Sequence, residues 1–414
     1  MIDDYTFDFD WMHVYDDTIP SSSDDEAFQG RNGKVLTDRE DNIYVYYFKN
    51  NPNQAVVLKY NPLGIVVWKR TIENCEPMDM VLMPDGNLLL ATRLSALLPW
   101  GMVVYKISPV GETDSTEISI QALTTTIPWE IRNATIYPQD DNTLLISGSM
   151  VHQYFINVAP TTSGFVIKLS QFLTEEWGLI LNNYSIPAYS GVLGNNTTFN
   201  QNSIIRTNAN KFLMEFSFSK AKPYEDSIPF GLVRGLLNPD GKLDTLYIDN
   251  TGYLIQSNGR RHGFINHYCN GLLKDGGKTW FNYSTTEIMT TPGPAIKNAI
   301  IEIDDDAKII DTIPVVLPSG YKIVCYKINK GSFFMTAYKA GIASGTSDFG
   351  ANQTLFITGD RHWNAARTFT LQKFYSDFFP SIAQTSDGGF ICMGKIQSFN
   401  NNVNKLVLFK YKGI

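Results

Sequence analysis

Residues 381–414 read SIAQTSDGGFICMGKIQSFNNNVNKLVLFKYKGI, and this stretch decides the fold. It contains three apolar segments. The turn sequence SDGG joins the first two, and the polar segment KIQSFNNNVN joins the last two. Asp-Gly and Gly-Gly pairs between apolar runs are typical of β-hairpins. The stretch therefore predicts three antiparallel strands, with a loop expected at KIQSFNNNVN.

Earlier segments repeat this pattern and add a fourth strand after a second turn, as in AVVLKYNPLGIVVWKRTI. Units of about 45 to 70 residues with four strands each are typical of β-propeller blades. The seven units have a shared marker position on the third strand, at Lys59, Lys106, Lys168, Arg234, Glu302, Phe356 and Lys410. We predict an all-β protein that forms one domain over residues 1–414, a seven-bladed β-propeller with four-stranded antiparallel blades. The predicted blades are 34–72, 78–120, 131–181, 202–248, 260–316, 320–373, and 380–414 plus 5–15.

The last unit lacks a fourth strand, and the segment YTFDFDWMHVYDD near the N-terminus has the sequence of one. Trp68, Trp177 and Trp363 each follow a third-to-fourth turn, and Trp11 would take the same place in the closing strand. We therefore predict that residues near 5–15 pair beside 404–412 and close the ring. The alternative is that Trp11 is a core aromatic residue near a frayed end. In the sixth unit, an alternative division makes TLFITG the second strand rather than the third.

The composition excludes several classes of protein. The chain is 43% hydrophobic and 13% aromatic, with a formal net charge of −7 and no basic run, so we predict no nucleic-acid partner. No run of about 18 apolar residues is present, so we predict no transmembrane segment. The four cysteines, Cys75, Cys269, Cys325 and Cys392, form no Cys-x-x-Cys pair, and we predict neither a metal site nor a cofactor.

The expected location is outside the cytoplasm, in the periplasm or on the cell surface. The sequence begins MIDDYTFDFDW, without the basic and apolar regions of a signal peptide. We expect a signal or lipid-anchor segment to be missing from the printed sequence, and a cytoplasmic protein is the alternative. We expect the protein to be a monomer.

Loop lengths distinguish the two faces of the predicted propeller. The turns MPDG, NPLG, SPVG, NPDG, DDDA and SDGG are minimal, and all would lie on one face. The second-to-third loops and the blade connections would lie on the other face, and they contain most of the remaining length. Long loops on a rigid scaffold are where binding residues concentrate. We therefore predict that the long-loop face is the binding face.

Aromatic and amide side chains are frequent in these loops, a composition that suits a sugar-binding or protein-binding surface. The alternative for each ring is that it packs its own loop onto the blade. The arginine pair at the connection before blade five could bind a carboxylate or a sulfate. The candidate ligand-binding residues are Trp100, His152, Tyr154, Tyr224, Glu225, Arg260, Arg261, His262, Trp280 and Tyr283.

Two sets of residues resemble known propeller repeats. Asp387-Gly388-Gly389-Phe390, and the run from Lys59 through Gly64 to Trp68, resemble the repeats of secreted and lipid-anchored bacterial β-propellers. That resemblance implies architecture and not activity. The segment LKDGGKTW is similar to the Asp box of sialidase-type propellers, Ser-x-Asp-x-Gly-x-Thr-Trp, with Leu273 in place of serine. In that family the box is a folded turn away from the catalytic centre. The arginine triad and the Tyr-Glu pair that the family uses cannot be identified in this sequence.

Two functional hypotheses follow. The favoured one is a non-enzymatic binding propeller whose long-loop face takes a glycan or a protein partner. The alternative is a carbohydrate-active propeller enzyme, such as a sialidase, glycosidase or lyase, with no catalytic residue assigned. A glycosidase would need two carboxyl groups about 5 to 10 Å apart in a concave site.

Overall fold

The computed structural model of the chain describes residues 9–18, 33–49, 53–94, 102–118, 129–152, 162–181, 197–220, 227–257, 260–266, 272–275, 277–288, 295–318, 321–329, 332–339, 354–360, 365–370, 376–398 and 401–411. All regular elements in these ranges are β-strands. Among the same residues, no helical segment has the length and apolar character needed to cross a lipid bilayer.

The strands are numbered in chain order. The first nine are β1 (Phe9–Thr18), β2 (Gly33–Thr37), β3 (Ile43–Lys49), β4 (Gln54–Tyr60), β5 (Val66–Glu73), β6 (Cys75–Leu82), β7 (Leu88–Leu94), β8 (Met102–Ile107) and β9 (Thr113–Ile118). The next eight are β10 (Trp129–Pro138), β11 (Leu144–His152), β12 (Thr162–Leu169), β13 (Glu175–Leu181), β14 (Thr197–Arg206), β15 (Phe212–Lys220), β16 (Ser227–Leu237) and β17 (Leu243–Ser257). The last twelve are β18 (Arg260–Asn266), β19 (Leu273–Asp275), β20 (Lys278–Ile288), β21 (Ala295–Ile303), β22 (Ile309–Val315), β23 (Tyr321–Asn329), β24 (Ser332–Lys339), β25 (Thr354–Asp360), β26 (Ala365–Thr370), β27 (Ser376–Gln384), β28 (Phe390–Ser398) and β29 (Asn401–Tyr411).

These strands form seven antiparallel four-stranded blades, and the fold is the predicted seven-bladed β-propeller. Blades one to four are β2–β5, β6–β9, β10–β13 and β14–β17. Blade five is β18, β20, β21 and β22, blade six is β23–β26, and blade seven is β27–β29 followed by β1. A hairpin between β17 and β18 joins blades four and five into one nine-stranded sheet, in which β19 pairs with β20. In blade six, β25 is the third strand, as the preferred division of the sequence predicts.

The chain divides into two compact units. The first unit is residues 1–97, 103–116 and 320–414, and it contains blades one, two, six and seven. The second unit is residues 98–102 and 117–319, and it contains blades three, four and five. Within each unit, neighbouring blades pack face to face through apolar clusters. Tyr46 and Val57 of blade one pack with Met80 and Leu90 of blade two in this way.

In the described part of the chain, ten five-residue turns join strands at one end of their sheets, here called the turn end. They are 38–42, 61–65, 83–87, 108–112, 139–143, 170–174, 207–211, 238–242, 304–308 and 385–389. In each turn the fourth residue has a positive φ. The six turns predicted from the sequence are all present. Five of the six have glycine at the fourth position and the sixth has Ala307, whereas the other four turns have Asp41, Asn142, Leu173 or Asn210 there. Asparagine and aspartate tolerate this conformation, which explains why a search for glycine misses them.

The closing strand is where the sequence predicts it. β1 pairs antiparallel with β29, and Trp11 lies opposite Lys410. Trp68 lies opposite Lys59 and Trp177 opposite Lys168 in the same way. The ring of Trp11 packs against Gly64 in the third-to-fourth turn of blade one. Blade seven is therefore completed by the N-terminal strand, which repeats the geometry of the internal blades.

A small ion-pair network lies beside this closure. The Lys410 ammonium is 2.8 Å from Asp387 Oδ2 and 3.6 Å from Asp10 Oδ2. Burial by itself would raise the pKa of Asp387. Hydrogen bonds from Lys410, Thr385 and the Gly389 N–H outweigh that effect and hold the pKa at about 2. Burial alone would lower the pKa of Lys410, but the hydrogen bond to Asp387 and the nearby carboxylates raise it.

We expect the substitution Lys410→Met to cost stability at neutral pH and to cost less in acid. A depressed folded-state pKa means that Asp387 contributes stability above its unfolded value of 3.8, and that this contribution is lost as pH falls toward 2. Because the Asp387 side chain is 50% exposed, the pair contributes less than about 1 kcal/mol. Urea midpoints of the two proteins between pH 7 and pH 3 would measure this. Lys242→Met, at an exposed pair, is the control, and a gap that widens in acid would contradict the assignment.

Candidate functional site

The candidate residues predicted from the sequence are distributed as follows. Trp100, Tyr154, Tyr224 and Glu225 lie outside the described residues. His152 is the last residue of β11. Arg260, Arg261 and His262 are the first three residues of β18, and Trp280 and Tyr283 lie in β20. The proposal that these residues share one ligand surface stays a prediction.

Several segments that the sequence predicts as long loops are strands. KIQSFNNNVN lies almost entirely in β28 and β29, with only residues 399–400 between them. The connection DNTGYLIQSNGRRHG is mostly the β17–β18 hairpin, with residues 258–259 between the strands. The expected loops are therefore shorter. The physical reason is that polar Asn, Ser and Thr residues can occupy strands whose backbone groups are satisfied by cross-strand hydrogen bonds.

Trp280 and the Asp-box segment are also placed differently from the expectation. β19 follows the first strand of blade five, β18, and both pair with the second strand, β20. The turn between β19 and β20 is therefore a first-to-second turn at the turn end, and the segment is not in a second-to-third loop. The Trp280 side chain is only 7% exposed, and the Lys278 Nζ lies 5.2 Å from its ring centroid. Asn208 Nδ2 of blade four donates to the Gly277 carbonyl at 3.0 Å. This box is a structural turn that attaches blade five to blade four.

The inner strands of the first unit are β2, β6, β23 and β27. They contain a group of charged residues that the candidate residues above do not include. Three of these strands are irregular where they pair with the second strand of their blade, with register shifts between Pro77 and Asp79, between Ile323 and Cys325, and between Phe378 and Ser381. β-Bulges redirect side chains and occur often beside functional sites. Asp79 lies at one of these positions, and Lys327 is two residues from another.

Lys34 of β2 and Asp79 of β6 form an ion pair across blades one and two. The Lys34 Nζ is 2.8 Å from Asp79 Oδ1, and the side chains are 31% and 7% exposed. Tyr46 lies opposite Lys34 in the sheet and donates its hydroxyl to the Met78 carbonyl at 3.1 Å. Burial, together with the Asp79 charge, raises the pKa of Tyr46 well above its ordinary value. Asp79 is therefore a carboxylate held by a cation in a largely dry position.

Lys327 of β23 belongs to the same group. Burial lowers the pKa of the Lys327 ammonium and the Lys34 charge lowers it further, while Cys325 and Asp79 act in the opposite direction. The charges of Lys34 and Asp79 therefore both act on the Lys327 ammonium, in opposite directions. Lys327 makes no hydrogen bond or ion pair in the described part of the chain, and its side chain is half-buried. We call Lys34, Asp79 and Lys327 the inner-strand cluster.

A second ion pair lies further along β6, away from the turn end. Glu76 Oε2 is 2.5 Å from Arg93 Nη2, and the two residues are cross-strand neighbours in β6 and β7. The two carboxylates of β6 are therefore each bound to a basic side chain. Within the described residues, no group of three or more His, Cys, Asp or Glu side chains could hold a metal ion.

Sequence reasoning missed the inner-strand cluster. A usable signal was present, because Lys34 and Asp79 are charged residues that are each followed by apolar residues in a first strand. Each of the two residues also belongs to the fourth cross-strand pair counted from the first-to-second turn of its blade. Lys327 is the third pair counted from its own turn. A comparison of the first strands position by position would have found two of the three.

The comparisons with known proteins identify the fold and no family. No protein-family model matches the chain, and no curated protein matches it. The solved structure of the polysaccharide lyase Uly1 is 8% identical and covers 95% of this chain and 92% of its own, with a TM-score of 0.53. A protein of unknown function from Dyadobacter fermentans is 11% identical over 97% of this chain and 99% of its own, with a TM-score of 0.48. The GH93 alpha-L-arabinofuranosidase of Fusarium graminearum is 12% identical over 81% and 93%, with a TM-score of 0.47.

At sequence identities of 8 to 12%, similarity to these solved structures shows only that the fold is shared. The chain has a propeller fold that carbohydrate-active enzymes share. The repeat type of secreted and lipid-anchored bacterial propellers has no support from a family model, and it stays a resemblance of sequence.

Proposed function

We propose that this protein is a non-enzymatic propeller that binds a glycan, outside the cytoplasm and as a monomer. The observation that carries the proposal is the inner-strand cluster, a set of charged side chains on three inner strands, two of which have a register shift. Polar groups that are already fixed on rigid strands can bind the hydroxyl groups of a sugar with little further loss of side-chain conformational entropy. The aromatic residues predicted for the long loops would supply the apolar contacts.

The cluster favours binding over hydrolysis. A glycosidase uses a protonated carboxylic acid and a second, ionised carboxylate. Asp79 and Glu76 are each paired with a basic side chain, at 2.8 Å and 2.5 Å, so each carboxyl group already has a partner within the protein. A carbohydrate-active enzyme remains the second candidate. Its acid and base would be residues other than Asp79 and Glu76, for example Glu225 outside the described ranges.

The loop aromatics provide the test of this proposal. We expect Trp100→Ala and Tyr154→Ala each to weaken glycan binding about tenfold or more, because a stiff ring in contact with a ligand contributes substantial affinity. Glycan arrays would identify a ligand, and calorimetry on the best hit would give the affinities. Phe172→Ala is the matched control, since this ring is 75% exposed in a turn-end turn.

The outcomes separate the candidates. Unchanged affinity in both loop variants would remove these aromatics from the binding face. Release of product from a bound glycan would replace the binding proposal with the enzyme. Capture of a protein partner with no glycan hit would replace the glycan with a protein ligand. Trp280→Ala is left out of this set because the Trp280 ring is buried, so its removal would lower the stability of the fold and any change in binding could come from that loss.

A further inference from the structure

The seam between blades seven and one, where the closing strand β1 packs against blade one, contains buried polar atoms that lack hydrogen bonds. In the described part of the chain, Trp11 Nε1, His13 Nε2, Tyr15 Oη and Tyr60 Oη are buried and have no hydrogen-bond partner. The ring centroids of Trp11 and His13 are 5.0 Å apart, and those of His13 and Tyr60 are 5.9 Å apart. A buried polar group without a hydrogen bond is destabilising, because it has lost its bonds to water and gained none in the protein.

The tryptophans at the same place in two other seams have the hydrogen bond that Trp11 lacks. Trp68 Nε1–H of blade one donates to the Pro109 carbonyl of blade two, and Trp177 Nε1–H of blade three donates to the Pro239 carbonyl of blade four, each at 3.0 Å. All three tryptophan rings pack against a third-to-fourth turn of the following blade. The closing seam therefore repeats the packing of these two seams without their hydrogen bond.

The closing seam also has a histidine where the seam between blades one and two has an arginine. The Arg70 guanidinium of β5 donates to the Gly111 carbonyl in the facing turn. His13 of β1 lies against Gly64 in the equivalent turn. A methyl group added at Gly64 would lie 2.9 Å from His13 Nε2, and one added at Gly111 would lie 2.9 Å from Arg70 Nη2. The shorter histidine side chain reaches the turn, but its Nε2 makes no hydrogen bond among the described residues.

We propose that β1 is a releasable closing strand, which detaches from β29 and from blade one while the other strands of the first unit stay folded. Detachment lets water form hydrogen bonds with the four polar atoms, and this offsets part of the apolar contact that is lost. The contacts of Trp11 and Tyr15 with the apolar cluster keep the closed form dominant. β1 is an outermost strand with β29 as its only strand neighbour in the described sheets, so its release breaks no other strand pair. This device goes beyond glycan binding and makes opening of the ring a step separate from unfolding of the blades.

Hydrogen exchange of the full chain, measured by mass spectrometry at increasing urea concentrations, would test the proposal. The matched reference is β5, which is also an outermost strand paired on one side within the described sheets. We expect the β1 amides to exchange about tenfold or more faster than the β5 amides, with a weak urea dependence, because local opening exposes little surface. The β5 amides should show the steep urea dependence of global unfolding. Equal exchange rates and equal urea dependence in the two strands would overturn the proposal.

Two reciprocal substitutions test the physical cause. His13→Arg gives the closing seam the guanidinium that β5 already has, and we expect it to slow the exchange of β1 by about three- to tenfold, the factor that one intramolecular hydrogen bond supplies. Arg70→His should accelerate the exchange of β5 by a similar factor. Thermal melts would establish that both variants are folded, and the comparison of β1 with β5 in the unmodified protein needs neither variant. Fast exchange of β1 that His13→Arg does not slow would mean that the strand only frays, and the assigned cause would be wrong.

Discussion

A chain that lacks residues 1–18 is expected to unfold at a much lower urea concentration than the full chain and to aggregate. β1 is the fourth strand of blade seven, and its removal makes β29 an edge strand, with residues 405–411 unpaired on the side that β1 covered. That edge carries the apolar sequence KLVLFKY, and a long apolar edge strand is a template for intermolecular pairing. The deletion also removes Trp11 and Tyr15 from the apolar cluster between blades seven and one.

Deletion of residues 1–8 is the matched control, because it shortens the same terminus and leaves β1 complete. We expect this shorter deletion to keep the urea midpoint of the full chain. Trp11→Ala should take an intermediate position, with a loss of about 3 kcal/mol, the lower end for truncating a packed tryptophan. If the chain without residues 1–18 unfolds at the same midpoint as the full chain, ring closure by β1 contributes no stability.

Gly241→Ala is expected to destabilise the protein by about 3 kcal/mol, and Gly388→Ala by about 1 kcal/mol. Both glycines are the fourth residue of a five-residue turn, with φ of +81° and +90°. The cost of placing an alanine in the left-handed region is therefore nearly the same in the two variants. The difference lies in what the added methyl group would meet. At Gly241 it would lie 2.5 Å from the Trp177 ring, and at Gly388 no atom lies within 4 Å.

Denaturant titration of both variants would measure the two free energies of unfolding. The larger loss at Gly241 would report the contact between a third-to-fourth turn and the tryptophan of the preceding blade. Trp177 also donates its Nε1–H to the Pro239 carbonyl at 3.0 Å, as Trp68 does to Pro109. Equal losses in the two variants would mean that the turn moves away from the ring without cost.

The parts of the fold that could be predicted are those with a local or periodic cause. The alternation of apolar strands with Asp-Gly and Pro-x-Gly turns predicts four-stranded blades, since these residues take the required turn conformations. The shared position of Trp11, Trp68 and Trp177 predicts which strand closes the ring. The turn at 170–174 was not predicted, because Leu173 takes a positive φ with no residue type that signals it. Tertiary packing stabilises a conformation that the local sequence disfavours.

The candidate site was harder to predict than the fold. The aromatic residues were selected because they lie in polar segments, and Trp280 shows the weakness of that criterion. Its ring is buried because β20 continues through the segment and pairs with β21 on one side and β19 on the other. Lys34, Asp79 and Lys327 were not selected from the sequence because they lie in three different strands that are far apart along the chain.

The sequence by itself determined the fold class, the number of blades and the strand that closes the ring. These features follow from short-range turn chemistry and from a repeat that can be compared with itself. Only the tertiary structure decided that Lys34, Asp79 and Lys327 form one cluster. They are 45 and 248 residues apart along the chain, and the interaction depends on how blades one, two, six and seven pack in the first unit. Electrostatic interaction depends on the distance between charges in space, and the residue types within one strand do not indicate which charges from other strands will lie close to it.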